Sequence, residues 1–89
     1  MKCFYKKTFL KDLSSIPAVY QKRIEKLVFK EIPDSKNITD INDLKKMRGY
    51  NKYFRIRIGN YRIGCMVGTK DNIIFYRVKS RKDIYKLFP

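Results

Sequence analysis

Tyr53-Phe54-Arg55-Ile56-Arg57-Ile58-Gly59-Asn60-Tyr61-Arg62-Ile63 is the run that decides the fold. Phe54, Ile56 and Ile58 fall on one parity, and Tyr53, Arg55 and Arg57 on the other. Successive side chains leave a pleated backbone on opposite sides, so this alternation predicts a strand with one buried face. Gly59-Asn60 supplies a two-residue turn into a second strand over 61–67, which makes a hairpin. A further turn around 68–72 leads to a third strand over 73–79. Residues 83–87 suit a closing helical turn.

Toward the N-terminus, residues 2–6 read as a short first strand. Thr8 offers a hydroxyl N-cap to a short helix carrying Phe9, Leu10 and Leu13 and ending near Ser14-Ser15. Pro17 suits the first turn of a second helix, where its missing N–H costs nothing. Tyr20, Ile24, Leu27, Val28 and Ile32 then form an apolar stripe over 16–32, and Pro33 is expected to stop it. Lys22, Arg23, Glu25, Lys26 and Lys30 lie mostly off the stripe, and Lys22, Arg23 and Lys26 read as a solvated face. Residues 33–44 are polar and turn-rich, and Lys45-Lys46-Met47-Arg48-Gly49 is a basic lead-in to the sheet. The expected order is β-α-α-β-β-β, an α+β fold with a helical hairpin on a small antiparallel sheet, in one domain over 1–89.

The charge is large and uneven. Against 22 Lys+Arg stand 8 Asp+Glu, a formal net charge of +14. Residues 1–44 hold nine basic and six acidic residues, whereas 45–89 hold thirteen and two. Such a surplus attracts polyanions, because neutralising phosphates releases condensed counterions. Cys3 and Cys65 have neither metal-ligand spacing nor a redox motif and are expected to be small buried apolar residues. No signal-peptide pattern opens the chain and no window is long enough to span a bilayer, so a cytoplasmic protein is expected.

The sequence also narrows the chemistry. With no histidine, imidazole acid–base catalysis and His-metal sites are excluded. No carboxylate pair sits on the predicted strands, and no phosphate-binding glycine loop or serine nucleophile motif occurs, so neither a metal nor a cofactor is expected. Arginines and tyrosines remain. Strand parity turns Arg55 and Arg57 away from the core, with Arg62 opposite in parity to Tyr61, Ile63 and Cys65. Arg77 and Lys79 share a parity that Arg81 continues. One exposed basic surface is expected, where guanidinium forks take phosphate oxygens two at a time. Tyr53 and Tyr85 would add base-stacking platforms, while Tyr5, Tyr20, Tyr50 and Tyr76 read as packing residues.

Three phrases in order carry a resemblance: Leu44-Lys45-Lys46-Met47-Arg48-Gly49, then Tyr53 to Ile63, then Val78-Lys79-Ser80-Arg81-Lys82-Asp83-Ile84-Tyr85. Together with Phe9, Leu13 and Ile16-Pro17 ahead of the second helix, they resemble the RelE/ParE toxin superfamily over nearly the whole chain. The resemblance implies a β-α-α-β-β-β fold and a type II toxin–antitoxin pair. RelE-like members are ribosome-dependent endoribonucleases that cut mRNA in the A site. ParE-like members instead inhibit DNA gyrase by protein binding. Arg62 is common to both branches, whereas the basic strand before it and the late tyrosine fit the RelE-like one better. An inactive RNA- or antitoxin-binding relative is a third reading.

On the RelE-like reading the resemblance implies metal-free attack by the RNA's own 2′-hydroxyl, leaving a 2′,3′-cyclic phosphate. Tyr85 would help deprotonate or orient that hydroxyl, with surrounding arginines stabilising a phenolate. Arg62 and Arg57 would hold the charge developing on the phosphorane. Arg81 would bind or protonate the leaving oxygen, although a guanidinium is a reluctant acid. Arg55, Lys45, Lys46, Arg48, Arg77 and Lys79 would bind RNA phosphates. The ribosome would orient the substrate, and a cognate antitoxin would neutralise the toxin. Two features depart from relatives: Ser80 stands where many carry histidine before the late arginine, and no Glu/His pair is possible.

Overall fold

In the computed structural model, which describes Met1–Pro89, the hairpin forms where the alternation requires it. Strands β3 (Tyr53–Ile58) and β4 (Tyr61–Val67) pair antiparallel from Ile58↔Tyr61 to Tyr53↔Met66. Gly59 sits at φ 55° while Asn60 stays out of the left-handed region, the pattern of a II′ turn. Position 59 is closed to side chains for a second reason. A Cβ there would lie 2.8 Å from the Tyr20 ring.

β5 (Asn72–Ser80) adds antiparallel to β4, as expected. Two strands change the sheet from the simple meander. β1 (Lys2–Tyr5) pairs parallel with the first half of β5, and Leu44–Lys46, expected only as a lead-in, is itself a strand, β2, antiparallel to β3. The order is β1-β5-β4-β3-β2, a mixed five-stranded sheet. Together with the helices it makes the α+β fold that the element pattern predicts.

The helices meet the expectation with local corrections. α1 spans Lys7–Ser14, but Thr8 does not cap it: its hydroxyl donates to the Tyr76 carbonyl at 3.0 Å, tying the helix to β5. Pro17 stands just ahead of α2 (Ala18–Lys26), which passes into a π-helical turn, Leu27–Glu31, and a last turn α3, Ile32–Asp34. Pro33 lies inside that last turn and does not stop the helix before it. A proline ring crowds the carbonyl four residues earlier, and the wider π turn gives it room.

Phe9, Leu13, Ile24, Val28 and Ile32 from the helices bury against Ile56, Ile58, Ile63, Cys65, Ile73, Phe75 and Val78 of the sheet. On β5 the inward set runs Ile73, Phe75 and then Val78, a break in parity. Its cause is a bulge: Gly64 pairs with Arg77 and Cys65 with Phe75, leaving Tyr76 as the extra residue. The opposite face of the sheet is partly covered by the C-terminal segment. There α4 (Ile84–Leu87) and Phe88 bury Ile84 and Phe88 with Met47, beside Tyr53 and Tyr76. Phe88 fits because β4 carries glycine beneath it. A Cβ at Gly64 would come within 2.5 Å of the ring.

Candidate functional site

The hairpin fixes Arg57 and Arg62 as direct cross-strand partners, hence on one face. Ile56 and Ile58 are buried on the other face, which leaves Arg57 exposed. Arg62 is only partly exposed, and its Nη1 donates to the Gly59 and Tyr61 carbonyls at 2.8 and 2.9 Å. The guanidinium is thus tied to the turn by one nitrogen, with no protein acceptor on the others. Burial lowers its affinity for its proton. Arg55 adds to this, Tyr85 opposes it, and Arg57 and Arg81 add further. Four groups chosen from sequence, Arg55, Arg57, Arg81 and Tyr85, therefore stand within electrostatic reach of Arg62, the fifth.

Arg81 arrives from the far end of β5. Its backbone N–H donates to the Asn60 carbonyl at 2.9 Å, which pins the C-terminal segment to the hairpin turn. Ser80, directly opposite Tyr61, accepts the Asp83 N–H on both its carbonyl and its hydroxyl. That turn launches α4, whose buried Ile84 leaves the neighbouring Tyr85 exposed. A four-residue helix anchored by Ile84 and Phe88 thus holds the exposed tyrosine within electrostatic reach of Arg62.

Arg57, Arg62 and Arg81 line an open cleft of about 720 Å³ between the hairpin and the second helix. A smaller hollow of about 350 Å³ beside it is lined by Asp43, Lys45, Arg55, Arg57 and Arg62. Lys45 therefore joins the cluster, as its pairing with Arg55 requires. Lys46 and Arg48 are exposed but line neither hollow. No three acidic or thiol side chains stand close enough together to hold a metal ion.

Arg77 and Lys79 depart from the expected surface. β1 ends at Tyr5, so β5 has a free edge beyond Phe75, and both side chains reach the carboxylate of Asp12 there. Arg77 Nε donates to Asp12 Oδ2 at 2.7 Å, Lys79 Nζ lies 3.2 Å from Oδ1, and the Val78 N–H donates to Oδ2 at 3.2 Å. Asp12 is buried, which alone would raise its pKa. The bonds from Arg77, Lys79 and Val78 outweigh that and hold it below the ordinary carboxylate value. Strand parity could not reveal this, because both the bulge and the partner lie outside the local pattern. Tyr53 is likewise no free stacking platform. It meets Tyr50, Tyr76 and Phe88 edge-on, with centroids 5.5 to 6.3 Å away.

Two basic residues of the expected solvated helix face belong to the cleft. Arg23 and Lys26 line it opposite the arginines, with Glu31 and Asp43 as its acidic members. The sequence held no signal for this beyond their charge.

A family model described as the ParE toxin of type II toxin–antitoxin systems, parDE, matches residues 4–85. The chain is 50% identical over 90 residues to Toxin RelE3 of Methanocaldococcus jannaschii, covering 100% of both. It is 34% identical over 79 residues to Putative toxin RelE1 of the same organism, covering 86% of this chain and 84% of the relative. Among solved structures, it superposes on the RelB–RelE antitoxin–toxin complex from Methanococcus jannaschii with a TM-score of 0.79 at 48% identity, covering 97% of this chain and 99% of that one. The isolated E. coli RelE toxin shares the fold at a TM-score of 0.65 and 14% identity, over 96% and 90% of the two chains. No helix is long and apolar enough to cross a membrane. With a family model over most of its length and a relative half identical across all of it, the chain belongs to the RelE/ParE superfamily of type II toxin–antitoxin toxins.

Proposed function

We propose that the protein is a metal-independent endoribonuclease that cuts mRNA in the ribosomal A site and is neutralised by a cognate antitoxin. The observation that carries this reading is the convergence of Arg57, Arg62 and Arg81 on one cleft, with Arg55 lining the adjoining hollow and Tyr85 within electrostatic reach of Arg62. In the proposed reaction the RNA 2′-oxygen attacks phosphorus, the bond to the 5′-oxygen breaks, and a 2′,3′-cyclic phosphate remains. Tyr85 orients the 2′-hydroxyl or takes its proton. Arg57 and Arg62 face the phosphorane, whose added charge their fixed guanidinium groups stabilise more than the ground state. Arg81 steadies the departing 5′-oxygen, which acquires a proton from solvent or from the guanidinium. Lys45 and Arg55, in the adjoining hollow, hold RNA phosphate. So sparse a site works if the ribosome supplies the alignment.

An antitoxin partner is supported by the RelB–RelE complex from Methanococcus jannaschii, whose matching chain is 48% identical to this one. A net charge of +14 also favours an acidic segment that orders on binding. The match to the ParE model favours a second reading, gyrase inhibition by protein binding without nuclease activity.

Inducing the protein in cells while mapping RNA ends and following DNA breaks separates the two. The nuclease reading expects cuts in translated mRNA that fall about 10²–10³-fold in Arg62→Ala, the range for losing one preorganised charge-stabilising donor. Tyr85→Phe, which keeps the ring and removes only the hydroxyl, is expected to lose cleavage while retaining the fold. DNA breaks alongside intact transcripts would falsify the nuclease assignment.

A further inference from the structure

The second helix supplies a wall of the cleft that the proposed chemistry does not use. Opposite Arg57, Arg62 and Arg81 stand Arg23 and Lys26, across a volume of about 720 Å³. That volume falls within the range of about 300–1,000 Å³ usual for small-molecule sites. Arg23 is exposed and leans on an aromatic ring. Its guanidinium lies 5.6 Å from the centroid of the Tyr20 ring, and Tyr20 packs on Tyr61 at 4.8 Å. The same Tyr20 ring closes over Gly59, whose carbonyl anchors Arg62. One turn thus positions a guanidinium on each side of the cleft. Lys26 lies 3.9 Å from Glu31, but both side chains are more than half exposed, so the pair is weak and readily exchanged for a phosphate.

We propose that Arg23 and Lys26 form a second phosphate subsite, which takes the phosphodiester next to the scissile one in the same RNA strand; this rests on the nuclease reading above. The strand then runs across the hairpin end, from the arginine face of the sheet to the second helix. Guanidinium suits the task because its planar fork binds phosphate oxygens in pairs, and the ammonium beside it adds a point charge. Glu31 and Asp43, the acidic groups facing the cleft, oppose any further anion and limit the subsite to a single phosphate.

The test is binding of 2′-deoxy oligonucleotides, which cannot be cut, to the full chain, followed by fluorescence anisotropy at several salt concentrations. The probes are a dinucleotide with one phosphodiester and a tetranucleotide with several. Arg23→Gln with Lys26→Gln is expected to weaken the tetranucleotide about five- to tenfold, as loss of two exposed ion pairs implies. It should also make the salt slope shallower by about 0.7, the single-strand value for one phosphate. The dinucleotide should be unaffected, and Arg23→Lys with Lys26→Arg should retain most of the tetranucleotide affinity. Arg62→Gln should weaken both probes. If the double variant matches the wild type on both probes while Arg62→Gln does not, the subsite is refuted and the nuclease reading stands. If the double variant is normal on oligonucleotides but weak on ribosomes, or weak only toward an acidic antitoxin peptide, the residues serve another partner and the proposal is overturned. Failure of the wild type to bind either probe overturns the subsite, while the ribosome-dependent nuclease reading stands or falls by the mapping of RNA ends.

Discussion

Replacing Gly64 with alanine probes how the C-terminal segment is held. The new Cβ would fall 2.5, 2.6 and 2.9 Å from Cδ2, Cγ and Cε2 of Phe88. Those atoms include the root of the ring, so a small rotation does not relieve the overlap, and Phe88, 3% exposed, has little room to retreat. Overpacking of this kind costs about 1–3 kcal/mol. Against it stands a gain of about 0.5–1 kcal/mol, because alanine is better than glycine inside a strand. Gly64→Ala should therefore destabilise by about 1–2 kcal/mol, lowering Tm by about 4–16 °C in a domain of this size. In a Phe88→Ala background the overlap is gone and only the gain remains, so the same substitution should stabilise slightly. The resulting coupling, about 2 kcal/mol, is measurable by urea denaturation of the four chains of a double-mutant cycle. Gly64→Ala should also displace Tyr85, which shares a four-residue helix with Ile84. Its RNA cleavage should fall while its affinity for uncleavable RNA holds. Equal destabilisation in both backgrounds would refute the claim that Phe88 fills the hollow over Gly64.

Asp12→Ala removes the partner of Arg77 and Lys79 and leaves the Val78 N–H unpaired. A loss of about 2–3 kcal/mol is expected by urea denaturation, below the range for fully buried pairs because the Arg77 side chain is 25% exposed. Asp12 titrates lower in the folded than in the unfolded chain. Its contribution is therefore complete above the unfolded pKa of about 4 and lost as pH falls through the folded value. The gap between wild type and Asp12→Asn should be flat near neutrality and close in acid, and a gap that widened in acid would contradict the assignment. Cys65 is fully buried and its thiol pKa is pushed up by that burial. Alkylation should reach it only through unfolding, at a rate that tracks urea, whereas labelling of Cys65 in the native state as fast as the half-buried Cys3 would mean the core is open there.

Local pattern revealed the hairpin, the long second helix and the outward face of Arg55 and Arg57, because those depend on neighbours two to four residues away. Arg62 and Arg81 were legible as candidates, and the turn at Gly59-Asn60 explains why they converge: it anchors the side chain of one and the backbone of the other. What stayed hidden is non-local. The parallel pairing of β1 has no signature in Lys2–Tyr5, and the bulge at Tyr76 breaks a parity that the sequence alone continues. Parity therefore turns Arg77 and Lys79 toward the basic surface, whereas a buried carboxylate on α1 holds them. Arg23 and Lys26 show the converse, charges on a helix face that turn out to line the cleft. Nothing in a helix's own periodicity tells which part of its charged face meets a cleft.

The parallel pair has a consequence for the order of assembly. Lys2 pairs with Asn72 and Tyr5 with Phe75, so the outermost strand is synthesised first and seated last. Closing so long a loop adds little to the equilibrium cost, which grows only logarithmically with length, but long-range pairing slows folding. Until β5 emerges, Tyr5 can gather only its nearer partners, Phe9 and Phe29 and the Val28 carbonyl, into an aromatic nucleus on the helices. Phe75 then stacks on Tyr5, and a few residues later the Arg81 N–H closes on Asn60. Completion of the sheet and completion of the arginine cluster are thus nearly one event, and a nascent chain carries no assembled site until β5 and Arg81 have left the ribosome.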